Sequence, residues 1–361
     1  MNILFLVPYP KQGASNRFRV EQFLPYLAEQ KISFAVHSFW GESAFRVLYK
    51  KGNILRKTFY FIMGTAKRLI DILFFWKYDI VFVHREAFPL FNPGIESLFT
   101  FLKKPLIFDF DDAIFLPSMS GSNNFIERLK RPEKIAAIIA MSDFVIAGNS
   151  YLEGFARRFN QDTAVIPTSI DTDLYRPRKQ QEKNPLVIGW IGSVTTSDFL
   201  ATLEPVFIRI LEKFDNVIFK IVGGRADVEN LPSVIVKPWV LDEEIGDLKT
   251  FDIGIMPMPD NDWTKGKCGF KAILYMAVGI PCVASPVGMN KEIIIDGLNG
   301  FLAVTESEWV EKLSSLIVSR ELRERLGAAG RSTIESGYSL KANAPRFLSV
   351  IREVYQKNRK A

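Results

Sequence analysis

Three lysines and two glycines crowd into the seven residues from Lys265 to Lys271, in the stretch "WTKGKCGFK". The stretch follows an apolar strand pattern at 251–256 and leads into a helical run that begins near Gly269. The first turn of a helix has unpaired N–H groups and the positive end of the dipole, so it favours an anion. Glycines let a phosphate approach the backbone, and lysines add point charge. The chemistry that fits is diphosphate binding, through Lys267, Lys271 and the Gly269 and Phe270 amides. A solvated basic loop ahead of a core helix has the same composition. Placement at the carboxyl end of a strand favours the anion.

Other strand ends carry polar groups as well. In "GWIGSVTTSDF" (189–199) a strand pattern ends at Gly192. Ser193, Thr195 and Thr196 could bind phosphate oxygens or merely sit ahead of a helix, with Ser197 expected as its cap. Arg225, in "VGGR", either reaches an anion or decorates a turn. Near the start, Gly13 lies in the first strand–helix turn, and Arg17 and Arg19 are expected in the helix's first turns. Cations are unfavourable there, so an anionic ligand or an internal carboxylate should face them. "IFDFDDAIF" (107–115) clusters Asp109, Asp111 and Asp112, suited to pairing arginines, orienting a sugar hydroxyl or, last, holding Mg²⁺. His84, Arg85 and Glu86 follow another strand, whereas His37 lies inside a strand pattern and reads as structural. No Ser–His–Asp spacing or metal-ligand cluster is legible, which removes the hydrolase and zinc classes.

The elements that must position these groups alternate. Strand patterns fall at 2–7, 33–38, 79–84, 105–110, 143–148 and 163–167, and again at 186–192, 217–224, 233–238, 251–256, 281–285 and 300–304. Continuous apolar runs separated by helices imply parallel sheets covered on both faces. The proline- and charge-rich stretch 171–185 reads as a linker between a lobe at 1–170 and a lobe at 186–340. A last helix, roughly 343–357, follows the second alternation and is expected to return to the first lobe. Thr305 and Glu308 form a capping box before an apolar helix, and Pro205 should kink the helix beginning at Phe199. The fold class is α/β, two doubly wound lobes facing a cleft. In such sheets ligands sit outside the carboxyl ends of the strands.

Length suits two domains, since the chain has 361 residues. A hydrophobic share of 48% is enough for sizeable cores. The N-terminus lacks a basic start and a cleavage site, and no run is long and apolar enough to span a bilayer. Cys268 and Cys282 match no metal spacing and suit a reducing, cytoplasmic compartment. A net charge of +6 favours anionic partners, but the basic residues form no nucleic-acid module. Segment 49–78 mixes cations with Phe and Trp. It reads either as a helix lying in an anionic membrane surface or as an ordinary helix with a charged outer face.

"NSYLEGFARRF…VIPTSIDTDLYRP", "IGWIGS", "DIGIMPM" and above all "GFKAILYMAVGIPCVASPVGMNKEIIIDGLNGFLA" resemble retaining glycosyltransferases of family 4, the group 1 class with a GT-B fold. The resemblance runs over essentially the whole chain. It implies a nucleotide-sugar donor in the second lobe, a glycan or lipid-linked acceptor in the first, and retention, in surface polysaccharide or glycoconjugate synthesis. No resident cofactor and no essential Mg²⁺ are expected, and segment 49–78, if it touches lipid, adds peripheral contact at the inner face of the plasma membrane. Lys271, Lys267 and Asp111 become the catalytic candidates. Gly13, Gly192, Ser193, Thr195, Arg225, Gly269 and Phe270 become donor-binding, and Arg17, Arg19, His84 and Arg85 acceptor-side. The chain departs from the family where two glutamates are usual, at Gly266 and Leu274, and where Arg and Lys are usual, near Ser193 and Asp198. A degenerate binding protein or a sugar-nucleotide epimerase would share the architecture, and donor turnover with an acceptor separates them.

Overall fold

The computed structural model describes residues 1–48, 50, 52–117, 131–177, 184–224 and 233–360. It divides into two units, Met1–Ser169 with Asn343–Ala361, and Ile170–Ala342. All twelve expected strands form, most of them trimmed by a residue or two.

In the first unit, β1 (Asn2–Val7), β2 (Ser33–Ser38), β3 (Ile80–His84), β4 (Leu106–Phe110), β5 (Phe144–Ala147) and β6 (Thr163–Val165) build one parallel sheet, ordered β2-β1-β3-β4-β5-β6. Strands β1, β3 and β4 are buried along almost their whole length because helices cover both faces, which is why they read as unbroken apolar runs. The last helix, Leu340–Lys360, is longer than expected at both ends. Its part from Asn343 belongs to this unit, with Phe347 stacked on Phe23 at 4.5 Å and beside Phe82 at 5.4 Å.

The second unit holds β7 (Leu186–Ile191), β8 (Val217–Val222), β9 (Val234–Lys237), β10 (Ile253–Met256), β11 (Cys282–Ala284) and β12 (Phe301–Leu302), ordered β12-β11-β10-β7-β8-β9, again all parallel. Chain direction across the sheet reverses between β7 and β10, the switch point where such sheets open a ligand crevice. Tyr275 ties the crevice together. Its hydroxyl accepts from Ile191 N–H at 3.1 Å and donates to Ile255 C=O at 3.2 Å, bridging the ends of β7 and β10 from the helix Phe270–Ala277. Glycine is needed beneath two rings of this unit. A Cβ at Gly189 would lie 2.0 Å from Phe251, and one at Gly254 would lie 2.4 Å from Tyr275.

Four local expectations are corrected. Pro205 does not kink a helix; it sits in the first turn of a new one, Glu204–Lys213, where its missing N–H costs nothing. A 3-10 turn, Asp198–Leu203, precedes it. The helix after β7 starts earlier than the serines suggested, at Val194, so Ser197 is its last residue and donates to Val194 C=O rather than capping. The first helix is broken at Val20 into Ala14–Arg19 and later turns, which places Arg17 and Arg19 in a last turn, where positive charge suits the dipole. Of the expected linker, 178–183 lie outside the described residues, and 171–177 pack into the second unit. Tyr175 is buried there, donates to Glu244 at 2.5 Å, and its carbonyl accepts from Arg331. The Thr305–Glu308 capping box forms as expected.

Candidate functional site

At the switch point of the second unit, Gly269 adopts φ +65° as the N-cap of Phe270–Ala277. A side chain is disfavoured in that conformation, and a Cβ would also strike Ile293 at 2.5 Å. Lys271, the second residue of the helix, extends over Trp190 at 5.2 Å and donates to Thr196 Oγ1 at 3.3 Å. Gly192 makes room for it, since a Cβ there would lie 2.6 Å from Lys271 Cε and 2.7 Å from Trp190. Ser193 and Thr195 exchange a hydrogen bond at 2.8 Å on the exposed rim. Lys267 stacks over Trp263 at 3.8 Å, and Lys265 pairs with Asp260 and Asp262. Thus Lys271, Gly192 and Thr196 come together, with the start of the helix immediately behind them. Arg225 lies outside the described residues. Asn290, buried beside Gly269, donates to Ser285 C=O at 3.0 Å while its Oδ1 has no partner.

The first unit gathers its own polar cluster at the corresponding switch, between the ends of β1 and β3. His84 is fully buried. Its Nδ1 meets Asp109 Oδ2 at 2.6 Å and its Nε2 meets Ser15 Oγ at 2.6 Å, while Ser15 also reaches Asp111 Oδ2 at 2.8 Å. Arg19 holds Asp109 through two nitrogens and donates to Ile166 C=O. Arg85, at φ +63°, reaches Asp111 at 2.8 Å and Asp112 at 2.6 Å. So Arg19 and Arg85 pair with the carboxylates. Arg17 stacks on Phe18 at 4.6 Å. Gly13 N–H donates to Pro10 C=O, and a Cβ there would clash with Tyr9 at 2.8 Å.

Burial alone would raise both carboxyls. For Asp109 the charge of Arg19 and the hydrogen bond from His84 outweigh it, and for Asp111 the charges of Arg85, His84 and Arg19 do. Both are held below the ordinary carboxylate range and stay ionised. An ionised Asp109 can only accept, so His84 Nδ1 carries a hydrogen. Ser15 has one proton, shared between Asp111 Oδ2 and His84 Nε2 as its two hydrogen-bond partners.

This corrects the sequence reading that no Ser–His–Asp arrangement exists: Ser15, His84 and Asp109 form that chain. Asp111 against Ser15 Oγ would repel an alkoxide, so the chain suits orienting a substrate hydroxyl better than nucleophilic attack. Ser15 was missed because only its place two residues after Gly13 hinted at the site. Trp190 and Trp263 were missed because aromatic residues in such runs ordinarily mean core. Among the described residues no group of three or more His, Cys, Asp or Glu side chains is arranged to hold a metal ion.

Residues 185–319 match the family model "Glycosyl transferases group 1". Spore coat protein SA of Bacillus subtilis (strain 168) is 24% identical over 290 residues, covering 69% of this chain and 74% of that protein. Sucrose-phosphate synthase from Thermosynechococcus elongatus superposes with a TM-score of 0.70 at 15% identity, over 99% of this chain and 100% of the other. Anabaena Alr3699/HepE, solved with UDP-glucose, gives 0.68 at 14% identity, over 98% and 100%. At these identities the structural likeness speaks for the fold. Residues 185–319 therefore resemble a group 1 glycosyl transferase domain, in a chain whose two parallel-sheet units share the fold of GT-B glycosyltransferase structures over nearly its whole length.

Proposed function

We propose that the protein moves a glycosyl group from a nucleoside-diphosphate sugar to a glycan or lipid-linked acceptor, with retention, in surface polysaccharide or glycoconjugate synthesis. The observation that supports this most is the convergence of Lys271, the Gly269–Phe270 helix start and the Thr196 hydroxyl at the β7–β10 switch. As the sugar departs, negative charge grows on the diphosphate. Fixed donors that bind this charge more strongly than the ground state accelerate the step. Lys271 and the helix amides supply that charge binding, and Lys267 lies on the loop leading into the same helix. With Gly266 and Leu274 at the positions of the family's glutamates, phosphate rather than sugar contacts dominate donor affinity in this reading. A protein of the same fold holds UDP-glucose, which makes UDP the first nucleotide to try.

On the other side of the reaction, the Ser15–His84–Asp111 cluster, with Arg85 paired to Asp111, orients the acceptor hydroxyl, and Arg17 is kept as a further acceptor-side cation. A lipid-linked acceptor is presented at a bilayer, so the reading includes peripheral attachment at the inner face of the membrane. Protein groups meet the phosphate charge, so transfer persists in EDTA.

The test is a thermal-shift panel of UDP, GDP, ADP, CDP and dTDP, with and without Mg²⁺. A nucleotide that binds only the folded state adds about 2.7 kcal/mol at 100 times its dissociation constant. A selective shift names the donor class. No shift from any of them would replace the transferase reading with that of a degenerate binding protein.

A further inference from the structure

The helix Ile54–Leu73 turns a mixed face inward, where Phe61 packs on Phe39 and Phe88 but the most buried side chains are charged. Arg68 is fully buried and donates to Val7 C=O at 3.0 Å, to Ala87 C=O at 2.8 Å and to Asp71 at 3.1 Å. Asp71 also binds His37. Gly64 lies so close to Phe39 that a Cβ would meet its carbonyl oxygen at 2.8 Å. This network locks the rotation of the helix, so the outward face cannot turn inward.

That outward face is apolar. Leu55 (87% exposed), Phe59, Ile62, the small Ala66, Leu69 and Leu73 (63%) stand at three- and four-residue spacing along the helix's roughly 30 Å. Trp76 (61%) extends the patch beyond its C-terminal end, and Phe101 (81%) is exposed on the neighbouring helix Gly94–Phe101. An ordinary soluble surface does not expose apolar side chains in so continuous a stripe.

The exposed charge within residues 49–78 has one sign. Residues 49–78 contain seven lysines and arginines and a single carboxylate, Asp71, which is buried. The net charge of this segment equals that of the whole chain, +6, so the remainder is neutral. Arg56 and Lys67 lie on one flank, three turns apart, and Lys77 and Lys103 are exposed near the far end. No helix among the described residues is long and apolar enough to cross a membrane.

We propose that the outward face of Ile54–Leu73, with Trp76 and Phe101, lies in the interface of an anionic lipid bilayer, its apolar stripe in the acyl boundary and its cations on the headgroups. A second copy of this chain is the poorer occupant, because face-to-face packing would bring like charges together. The inference deepens the proposed function, from which it takes only the idea of a membrane-borne acceptor. The docking itself rests on the helix.

The experiment is co-sedimentation of the full chain with vesicles of phosphatidylcholine alone and of equal parts phosphatidylcholine and phosphatidylglycerol, at low and high salt. Binding is expected to the anionic vesicles, weakening with salt and by about fivefold for each cation neutralised at Arg56 or Lys67. The exposed triple variant L55S/L69S/L73S should lose binding while keeping the wild-type circular dichroism and melting curve. The proposal is overturned by any of four results. These are no sedimentation of the wild type at low salt, equal binding to both vesicle types, full binding by the triple variant, or a concentration-dependent dimer that the triple variant abolishes without vesicle binding. The nucleotide panel on the same preparation reads the donor site separately. Vesicle binding without any nucleotide shift would support docking and remove the transferase reading, whereas a nucleotide shift without vesicle binding would do the reverse.

Discussion

Replacing Asp109 with asparagine tests the buried cluster of the first unit. The carboxylate is fully buried, takes two bonds from Arg19 and one from His84, and faces an arginine that is itself only 2% exposed. The amide keeps the shape and removes the charge that balances a buried guanidinium, which also donates to Ile166 C=O. Removing one member of a buried ion pair costs about 3–5 kcal/mol. One feature puts D109N at the low end, about 3 kcal/mol: Asp111 still feels the Arg19 charge. For a unit of this size each kcal/mol is worth about 2–4 °C, so the melting midpoint should fall by about 6–12 °C.

The pH dependence gives an independent check. Arg19 and His84, against the opposing effect of burial, hold Asp109 below the ordinary carboxylate range. Its contribution is therefore fully present above the unfolded value of about 3.9 and is lost as pH falls through the lower folded value. Wild type should lose stability more steeply than D109N below about pH 4, with the difference constant from pH 5 to 7. Urea denaturation followed by circular dichroism measures both. A variant within 1 kcal/mol of wild type at pH 7, or one with the same acid slope, would refute the assignment of Asp109 as the charge that balances Arg19.

Three further outcomes follow from the second unit. K271A should weaken nucleoside-diphosphate binding about 10- to 100-fold, the loss of one charge-assisted bond of roughly 1.5–3 kcal/mol. Its melting point should move little, and unchanged affinity by titration calorimetry would remove the lysine from the site. G189A places a methyl 2.0 Å from the Phe251 ring and should cost at least about 1–3 kcal/mol in urea denaturation; wild-type stability would mean that the ring is free to move aside. Cys268 and Cys282 are buried, and burial drives the Cys282 thiol well above its ordinary value. Neither should react with Ellman's reagent until guanidinium unfolds the chain, and fast native reaction would contradict that packing.

Much was legible from residue order because it is decided by near neighbours. Each of the twelve strands is an apolar run whose length and flanks name it locally. Gly269 marks a helix start because only a few residues on either side determine that turn. Boundaries that depend on competing local signals were misread: Pro205 begins a new helix instead of kinking one, and the helix expected to start after Ser197 begins a turn earlier.

What the tertiary structure alone decided is which side chains meet. Ser15, His84, Asp109 and Asp111 are separated by up to 96 residues and come together because β1, β3 and β4 are neighbours in the sheet. Lys271 finds Thr196, 75 residues earlier, because strand order puts β7 beside β10. The helix 54–73 shows the division most plainly. Its mixture of cations and aromatics is visible in the sequence, but which face points outward is not. That was settled by the buried Arg68 and Asp71, whose partners come from β1, β2 and the loop after β3. Periodicity along a chain reports that a helix has two faces. Only the hydrogen-bond partners waiting on the folded body determine which of them is turned away from it.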